Sequence, residues 1–364
     1  MHHVFELDSA HRLLPMEGLR GFAVILVFLQ HYTTQNLIVL RPTSLTEDIA
    51  KALSSYGNFG VELFFVLSGY LIYRALIRNP NFIPFIKRRA QRIYPAFLVA
   101  FGLALVTHLG RVPSGALDAI RYIGENVLLL PGLFPIRPIL TVGWSLSYEM
   151  FFYVATAVFV VIIARHQWPR WARVAGILTF AASILAFAEH GAPYRMLPFF
   201  AGMLLVELGG LSVPGWIALG APVVAFSLAH VAQLHGALLE LTHTAAFFLL
   251  CAGCFRDRDI AGSVFRWTPL RWLGNISYSY YLMHAFVVVA MVRIAELVGA
   301  TAVSNSAFWT LIVPVFALSL LPAAALFVTV EKPFSLQPER RRDVSPILIA
   351  RSRDPASPRN AFSR

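Results

Sequence analysis

Apolar residues run through this chain in long blocks, each about 20 residues and nearly free of charge, the length an α-helix needs to cross the hydrocarbon layer of a bilayer. The blocks fall at 19–40, 56–77, 94–110, 142–164, 172–188, 194–209, 213–233, 236–255, 276–298 and 306–330. They predict an all-α protein, a polytopic transmembrane helical bundle of about ten spans. Pro193, Pro198, Gly202, Pro214, Gly220 and Pro222 fall in or between the fifth to eighth blocks and permit kinks, whose freed backbone groups need protein partners. The segment 111–141, with Pro113, Pro131, Pro135 and Pro138 around an apolar patch, is expected to lie on the outer interface or dip back into it.

Composition agrees with this pattern. Of the residues, 57% are hydrophobic and 13% charged, against about 25% charged in soluble domains, which excludes soluble, disordered and secreted disulfide-rich classes. The net charge of +11 raises nucleic acid as a partner, but cations accumulate in cytoplasmic loops of membrane proteins. With the N-terminus inside, 23 of the 30 Lys and Arg fall on inside segments and six outside, with Arg293 within the ninth span. Both termini are therefore expected in the cytoplasm, with no nucleic-acid partner. The acidic residues Glu6, Asp8 and Glu17 do not suit a cleavable signal peptide, so the first span is expected to persist. The chain divides into a transmembrane domain, 1–335, and a basic tail, 336–364, whose composition predicts disorder. Cys251 and Cys254 lie in an apolar run without a second pair and read as small helix residues; no metal site is expected.

Ionisable groups inside a span mark functional sites or polar packing. Glu207, Glu240, Arg293 and Glu296 lie close enough to helix ends to reach the interface by snorkelling. Others stand in richer contexts. Arg20 and His31 are 11 residues apart, about 20° from three whole turns and ~16.5 Å in rise, so they share one helix face. His31 then lies near half depth, where a neutral imidazole serves either as a general base or as an interhelical hydrogen-bonding group. Glu62 and Ser68 occur in Gly60-Val61-Glu62-Leu63-Phe64-Phe65-Val66-Leu67-Ser68-Gly69-Tyr70. Ser145 and Glu149 share a face, as do Ser277, Tyr281 and His284. Arg88, Arg89 and Arg92 precede Ile93-Tyr94-Pro95, where topology alone also favours cations.

These segments together resemble the membrane acyltransferase type 3 family, the bacterial integral-membrane O-acyltransferases of surface glycans and some small molecules. The resemblance runs from Gly18 to Pro333: Arg-x10-His at Arg20 and His31, F-F-x-L-S-G-[FY] at Phe64 to Tyr70, and R-x-x-R-I-x-P at Arg89 to Pro95. It continues with S-L-x-x-E-x-x-F-Y at Ser145 to Tyr153 and closes with E-K-P-F at Glu331 to Phe334. Five motifs in the family's order make the resemblance specific. It implies a multi-pass protein of the bacterial inner membrane that moves an acetyl or other acyl group from cytoplasmic acyl-CoA to a hydroxyl of a carbohydrate. Acetyl-CoA would be the donor substrate, with no permanently bound cofactor. Some members carry an extracytoplasmic hydrolase-like domain; here about 30 polar residues follow the last span, so action alone or with a separate extracytoplasmic partner is expected.

On this reading His31 deprotonates the acceptor hydroxyl, and Glu149 orients His31 or holds a cation. Arg20, Arg89 and Arg92 hold the CoA phosphates, which guanidinium binds in bidentate fashion. Glu62, Ser68, Ser145, Tyr281 and His284 support the site or the substrate. Direct transfer and an acyl-protein relay both stay open. The competing reading is a proton-coupled secondary transporter or flippase that uses His31, Glu62 and Glu149 as a proton path. Paired halves with matching interrupted helices, which such transporters show, are not evident in the sequence.

Overall fold

A computed structural model describes residues 13–37, 44–107, 112–187, 193–209, 211–255, 259–297 and 305–336. The tail beyond 336 and five loop cations, Arg12, Arg41, Arg111, Arg256 and Arg258, lie outside the described residues. Among those described there are fourteen α-helices and no strand beyond one isolated bridge between Pro131 and Phe134.

In chain order the helices are α1 (Leu14–Leu37), α2 (Ser44–Gly57), α3 (Gly60–Arg78), α4 (Phe82–Thr107), α5 (Ala116–Val127), α6 (Gly143–His166) and α7 (Arg170–Ala186). They continue with α8 (Leu197–Glu207), α9 (Gly215–Val231), α10 (Gly236–Cys254), α11 (Ile260–Phe265), α12 (Thr268–Asn275), α13 (Ser277–Leu297) and α14 (Asn305–Leu326), which runs into a π-helical stretch, Phe327–Leu336. Local chemistry sets several boundaries. Asn79 is extended ahead of Pro80, as proline demands of the preceding residue, and α3 stops there. Gln167 takes the left-handed conformation with φ 49° and closes α6.

Among the described residues six helical stretches are long and apolar enough to cross a membrane: 45–78, 82–107, 143–166, 236–254, 277–297 and 306–336. The fifth to seventh apolar blocks do form helices, but α7, α8 and α9 have only 17, 11 and 17 residues. Large apolar side chains such as Leu98, Val99 and Val106 on α4, and Val154, Val158 and Ile162 on α6, remain exposed on the outside of the bundle. In water such a surface would drive association, and in a bilayer it meets acyl chains. The chain is a multi-pass membrane protein.

Close helix approach holds the bundle where lipid removes the hydrophobic drive between helices. A Cβ on Gly69 of α3 would strike the backbone of Phe199, and one on Gly202 of α8 would strike the backbone of Val66. The two glycines thus let α3 and α8 pack backbone to backbone. Gly21 and Gly274 do the same for α1 and α12. Helix α1 also packs against α2, α3, α11 and α13, which puts Arg20 and His31 at the centre of the bundle.

Two acidic groups expected to snorkel are instead buried. Glu207 receives Nε and Nη2 of Arg173 at 2.8 and 2.9 Å and the hydroxyl of Tyr73 at 2.5 Å. Glu240 is 4% exposed. Arg293 and Glu296 do stay at the surface, paired at 2.9 Å. Of the segment 111–141, the described part from 112 onward folds as α5 and a loop pinned by Asn126, whose amide accepts from the Ile139 N–H at 2.8 Å and donates to the Tyr122 carbonyl. Cys251 and Cys254 are buried in the helix core.

Candidate active site

Five helices contribute to one cavity of about 130 Å³, enough for several waters or the acyl end of a thioester. Helix α1 presents Arg20, α3 Ser68, α4 Arg89 and Arg92, α6 Ser145, Glu149 and Tyr153, and α13 Ser277, Tyr278 and Tyr281. The apolar part of the wall comes from Val61, Phe64, Phe65, Leu67, Leu71 and Ile72 of α3, with Ile93 and Leu146. The helical repeat explains these selections: 145, 149 and 153 are one turn apart on α6, as are 277 and 281 on α13. Seven residues singled out in the sequence, Arg20, Ser68, Arg89, Arg92, Ser145, Glu149 and Tyr281, therefore meet around one space.

Within it, Glu149 is the acidic side chain at the lining. Its Oε1 accepts from Ser68 Oγ at 3.2 Å and from the hydroxyl of Tyr153. The guanidinium of Arg89 lies over the rings of Phe85 and Tyr153, at 5.5 and 5.9 Å. Arg92 lies over Tyr278 at 5.6 Å and donates to Glu331 at 2.5 Å. Glu331 is fully buried and also accepts from the N–H and hydroxyl of Ser279. Arg92 is thus partly neutralised by the π-helical stretch that follows α14. Three guanidinium groups facing one half-buried carboxylate leave the lining cationic, suited to an anionic ligand.

His31 and His284 are not among the residues that line this cavity and connect to it through Tyr281. His31 Nδ1 is 3.0 Å from the Val27 carbonyl, and His284 Nδ1 is 3.0 Å from that of Tyr280. His284 Nε2 is 3.3 Å from His31 Nδ1, the rings standing nearly perpendicular at 82°. The imidazole of His31 therefore meets another imidazole, while Glu149 turns to Ser68 and Tyr153. Tyr281 joins the two regions: its hydroxyl is 2.6 Å from Ser145 Oγ, it lines the cavity, and its ring lies 6.0 Å from His284.

Glu62 does not line the cavity. It is fully buried and takes Nε and Nη2 of Arg195 on one oxygen, at 2.9 and 2.5 Å, while Arg195 also reaches Asn58 and lies 4.3 Å over Trp144. A carboxylate held this way is a structural ion pair first, since a buried charge needs a partner. Sequence reasoning missed three contributors, Tyr153, Tyr278 and Glu331, and, away from the cavity, the Arg195 partner of Glu62. Tyr153 and Glu331 lie inside motifs already noted, so their motif positions were a usable signal. Nothing local marks Arg195, which in sequence is one more loop cation.

The fold and this arrangement define a multi-pass helical membrane protein with a cation-lined cavity between its helices. Residues 15–328 match the family model Acyl_transf_3, an acyltransferase domain, and the chain belongs to that acyltransferase family. Among curated proteins it is similar to the exopolysaccharide production protein ExoZ of Rhizobium meliloti, with 27% identity covering 81% of this chain and 95% of that protein. It is similar to the acyltransferase MdmB of Streptomyces mycarofaciens, with 26% identity covering 92% and 94%. The similarity to the putative peptidoglycan O-acetyltransferase YrhL of Bacillus subtilis is 25%, covering 92% of this chain but 57% of the longer relative. No solved structure matches.

Proposed function

We propose that this protein transfers an acetyl or related acyl group from cytoplasmic acyl-CoA to a hydroxyl of a carbohydrate acceptor in the bacterial cell envelope. It would do so from the inner membrane, with about ten spans and both termini in the cytoplasm, as the cation distribution favours. The observation that carries the reading is the gathering of Arg20, Arg89 and Arg92 with Ser145, Glu149 and Tyr281 around one cavity that Tyr281 connects to the pair of His284 and His31. Acyl transfer needs a base, donors for the developing oxyanion and exclusion of water.

Each requirement has a matching group. Arg20 and Arg89 bind donor phosphates, and Arg92, shared with Glu331, adds field more than grip. The aromatic and aliphatic wall from α3 shields the thioester from water. The hydroxyls of Ser145 and Tyr281 lie 2.6 Å apart in the cavity wall beside the Val142 carbonyl, and one that turned from its present partner would donate to the oxyanion while His31 takes the acceptor proton. A carbohydrate acceptor is favoured because relatives carry the names of an exopolysaccharide production protein and a putative peptidoglycan O-acetyltransferase.

The test uses isolated membranes from a strain expressing the full chain, supplied with radiolabelled acetyl-CoA. Label that passes into envelope glycan supports the reading, and mild alkali should release it as acetate from an ester. Movement of a glycan or small molecule across the membrane without covalent labelling would overturn it in favour of transport.

A further inference from the structure

We infer that His284 is a positioning residue for His31: it accepts the Nδ1–H of that ring and so leaves Nε2 as the atom that takes the acceptor proton. The inference rests on the acyl-transfer reading but is settled at the level of individual nitrogens.

Three contacts decide the tautomers. Each ring places Nδ1 at 3.0 Å from a backbone carbonyl one turn earlier, Val27 for His31 and Tyr280 for His284. A carbonyl oxygen only accepts, so a bare Nδ1 at that distance would set lone pair against lone pair in a buried site. Both Nδ1 atoms therefore carry hydrogen. His284 Nε2 is then a lone pair, and its contact with His31 Nδ1 at 3.3 Å runs in one direction, from His31 to His284. The Nδ1–H of His31 is shared between Val27 and His284, a three-centred arrangement. The opposite assignment, with hydrogen on His284 Nε2, creates a repulsive contact at both carbonyls.

His284 is well fixed for this role. It is fully buried, its ring stacks parallel to Tyr280 with centroids 5.5 Å apart, and Tyr281 flanks it on the cavity side. A partner held this firmly spends no reorganisation when charge develops. During transfer the acceptor oxygen bonds to the thioester carbonyl carbon while its proton moves to His31 Nε2. The C–S bond then breaks, and the departing thiolate recovers that proton from Nε2. Between these steps His31 is an imidazolium whose Nδ1–H is a much stronger donor, so its bond to His284 tightens. An interaction stronger in the transition state than in the ground state raises kcat with little effect on KM.

The experiment combines one spectroscopic and one kinetic arm on the full chain in lipid nanodiscs. With ¹⁵N-labelled histidine, the signals lost in His31→Gln and His284→Gln identify the two rings. Both should show a protonated Nδ1 and an unprotonated Nε2, and an unprotonated Nδ1 in either ring overturns the assignment. With radiolabelled acetyl-CoA and envelope glycan, His284→Phe keeps the ring but not the acceptor, and should lower kcat about tenfold or more with KM for acetyl-CoA within about threefold. His284→Gln places a carbonyl oxygen where Nε2 lies and should recover most of the rate. Full activity in His284→Phe, or equal loss in a normally eluting His284→Gln, overturns the positioning role. A native protein that transfers no label overturns the acyl-transfer reading and the catalytic part of this inference, whereas the tautomers stand or fall on the nitrogen signals.

Discussion

The guanidinium of Arg92 lies 2.5 Å from the carboxylate of Glu331, 239 residues away in sequence, and ties α4 to the π-helical end of the last span. Arg92 is 21% exposed and Glu331 not at all, so the bond is a tether between two helices as much as a feature of the cavity wall. The motif that ends in Tyr94-Pro95 and the E-K-P-F motif thus meet as one structural unit.

Removing one partner strands the other. Arg92→Ala or Glu331→Ala should each destabilise the folded protein by on the order of 3 kcal/mol. The double substitution Arg92→Ala with Glu331→Ala should lose less than the sum. Thermal unfolding in detergent of the four proteins in that cycle measures the coupling, and additive losses would show that the contact contributes nothing.

Arg89 behaves differently because it touches aromatic rings instead of a carboxylate. Arg89→Gln is expected to raise KM for acetyl-CoA about tenfold, the loss of one charge-assisted phosphate contact, while the unfolding temperature changes little. The ratio of the two effects separates Arg89 from Arg92, whose substitution shows the reverse balance.

His31→Ala should lower acyl transfer by about 10²–10⁴, the usual contribution of a general base, without changing membrane insertion. Label incorporation in isolated membranes together with the elution profile of the purified variant measures both. An inserted His31→Ala protein with native activity would remove His31 from the chemistry.

At Gly69 and Gly202 the expected outcome is structural. Gly69→Val forces a side chain into the backbone of Phe199, so α3 must part from α8. Overpacking of this kind costs at least 1–3 kcal/mol by the usual scale, about the range that empties a marginal fold. Yield and unfolding temperature check it, with Gly102→Val as the control, since no heavy atom lies within 4 Å of a Cβ built there.

Glu62 and Arg195 should respond as a pair. Glu62→Gln can still accept from Arg195, whereas Glu62→Leu leaves a guanidinium half-buried against Trp144 with only Glu240, which makes no hydrogen bond to it, as a nearby acid. Glu62→Leu is expected to accumulate several-fold less in membranes than Glu62→Gln. Equal accumulation would argue against a structural role.

Much of the site was legible because helical spacing is strict: residues on one face within a span, such as Ser145 with Glu149, stay together in any packing. The apolar blocks likewise marked most helices. What spacing cannot show is which distant helix supplies a counter-charge. Glu62 found Arg195, Glu207 found Arg173 and Arg92 found Glu331 through packing between helices far apart in sequence. The pairing of His31 with His284 was hidden for the same reason, although each residue stood out on its own. Glu207 and Glu240 were placed at the interface by their distance from helix ends, but neighbouring helices cover them.

The glycine contacts also determine which parts of the cavity can breathe. Arg20 stands on a helix sealed to α12 at Gly21, and Ser68 adjoins the seam at Gly69, so those two walls behave as one stiff frame. Helix α4 has no such seam, and Pro95 removes a backbone hydrogen bond just beyond Arg92. Its cation-bearing end is held by side chains instead, Arg92 on Glu331 and the Tyr278 hydroxyl on the Ile93 carbonyl at 2.8 Å. Adjustment to a bulky donor falls to that end, with the Arg92–Glu331 tether limiting its swing.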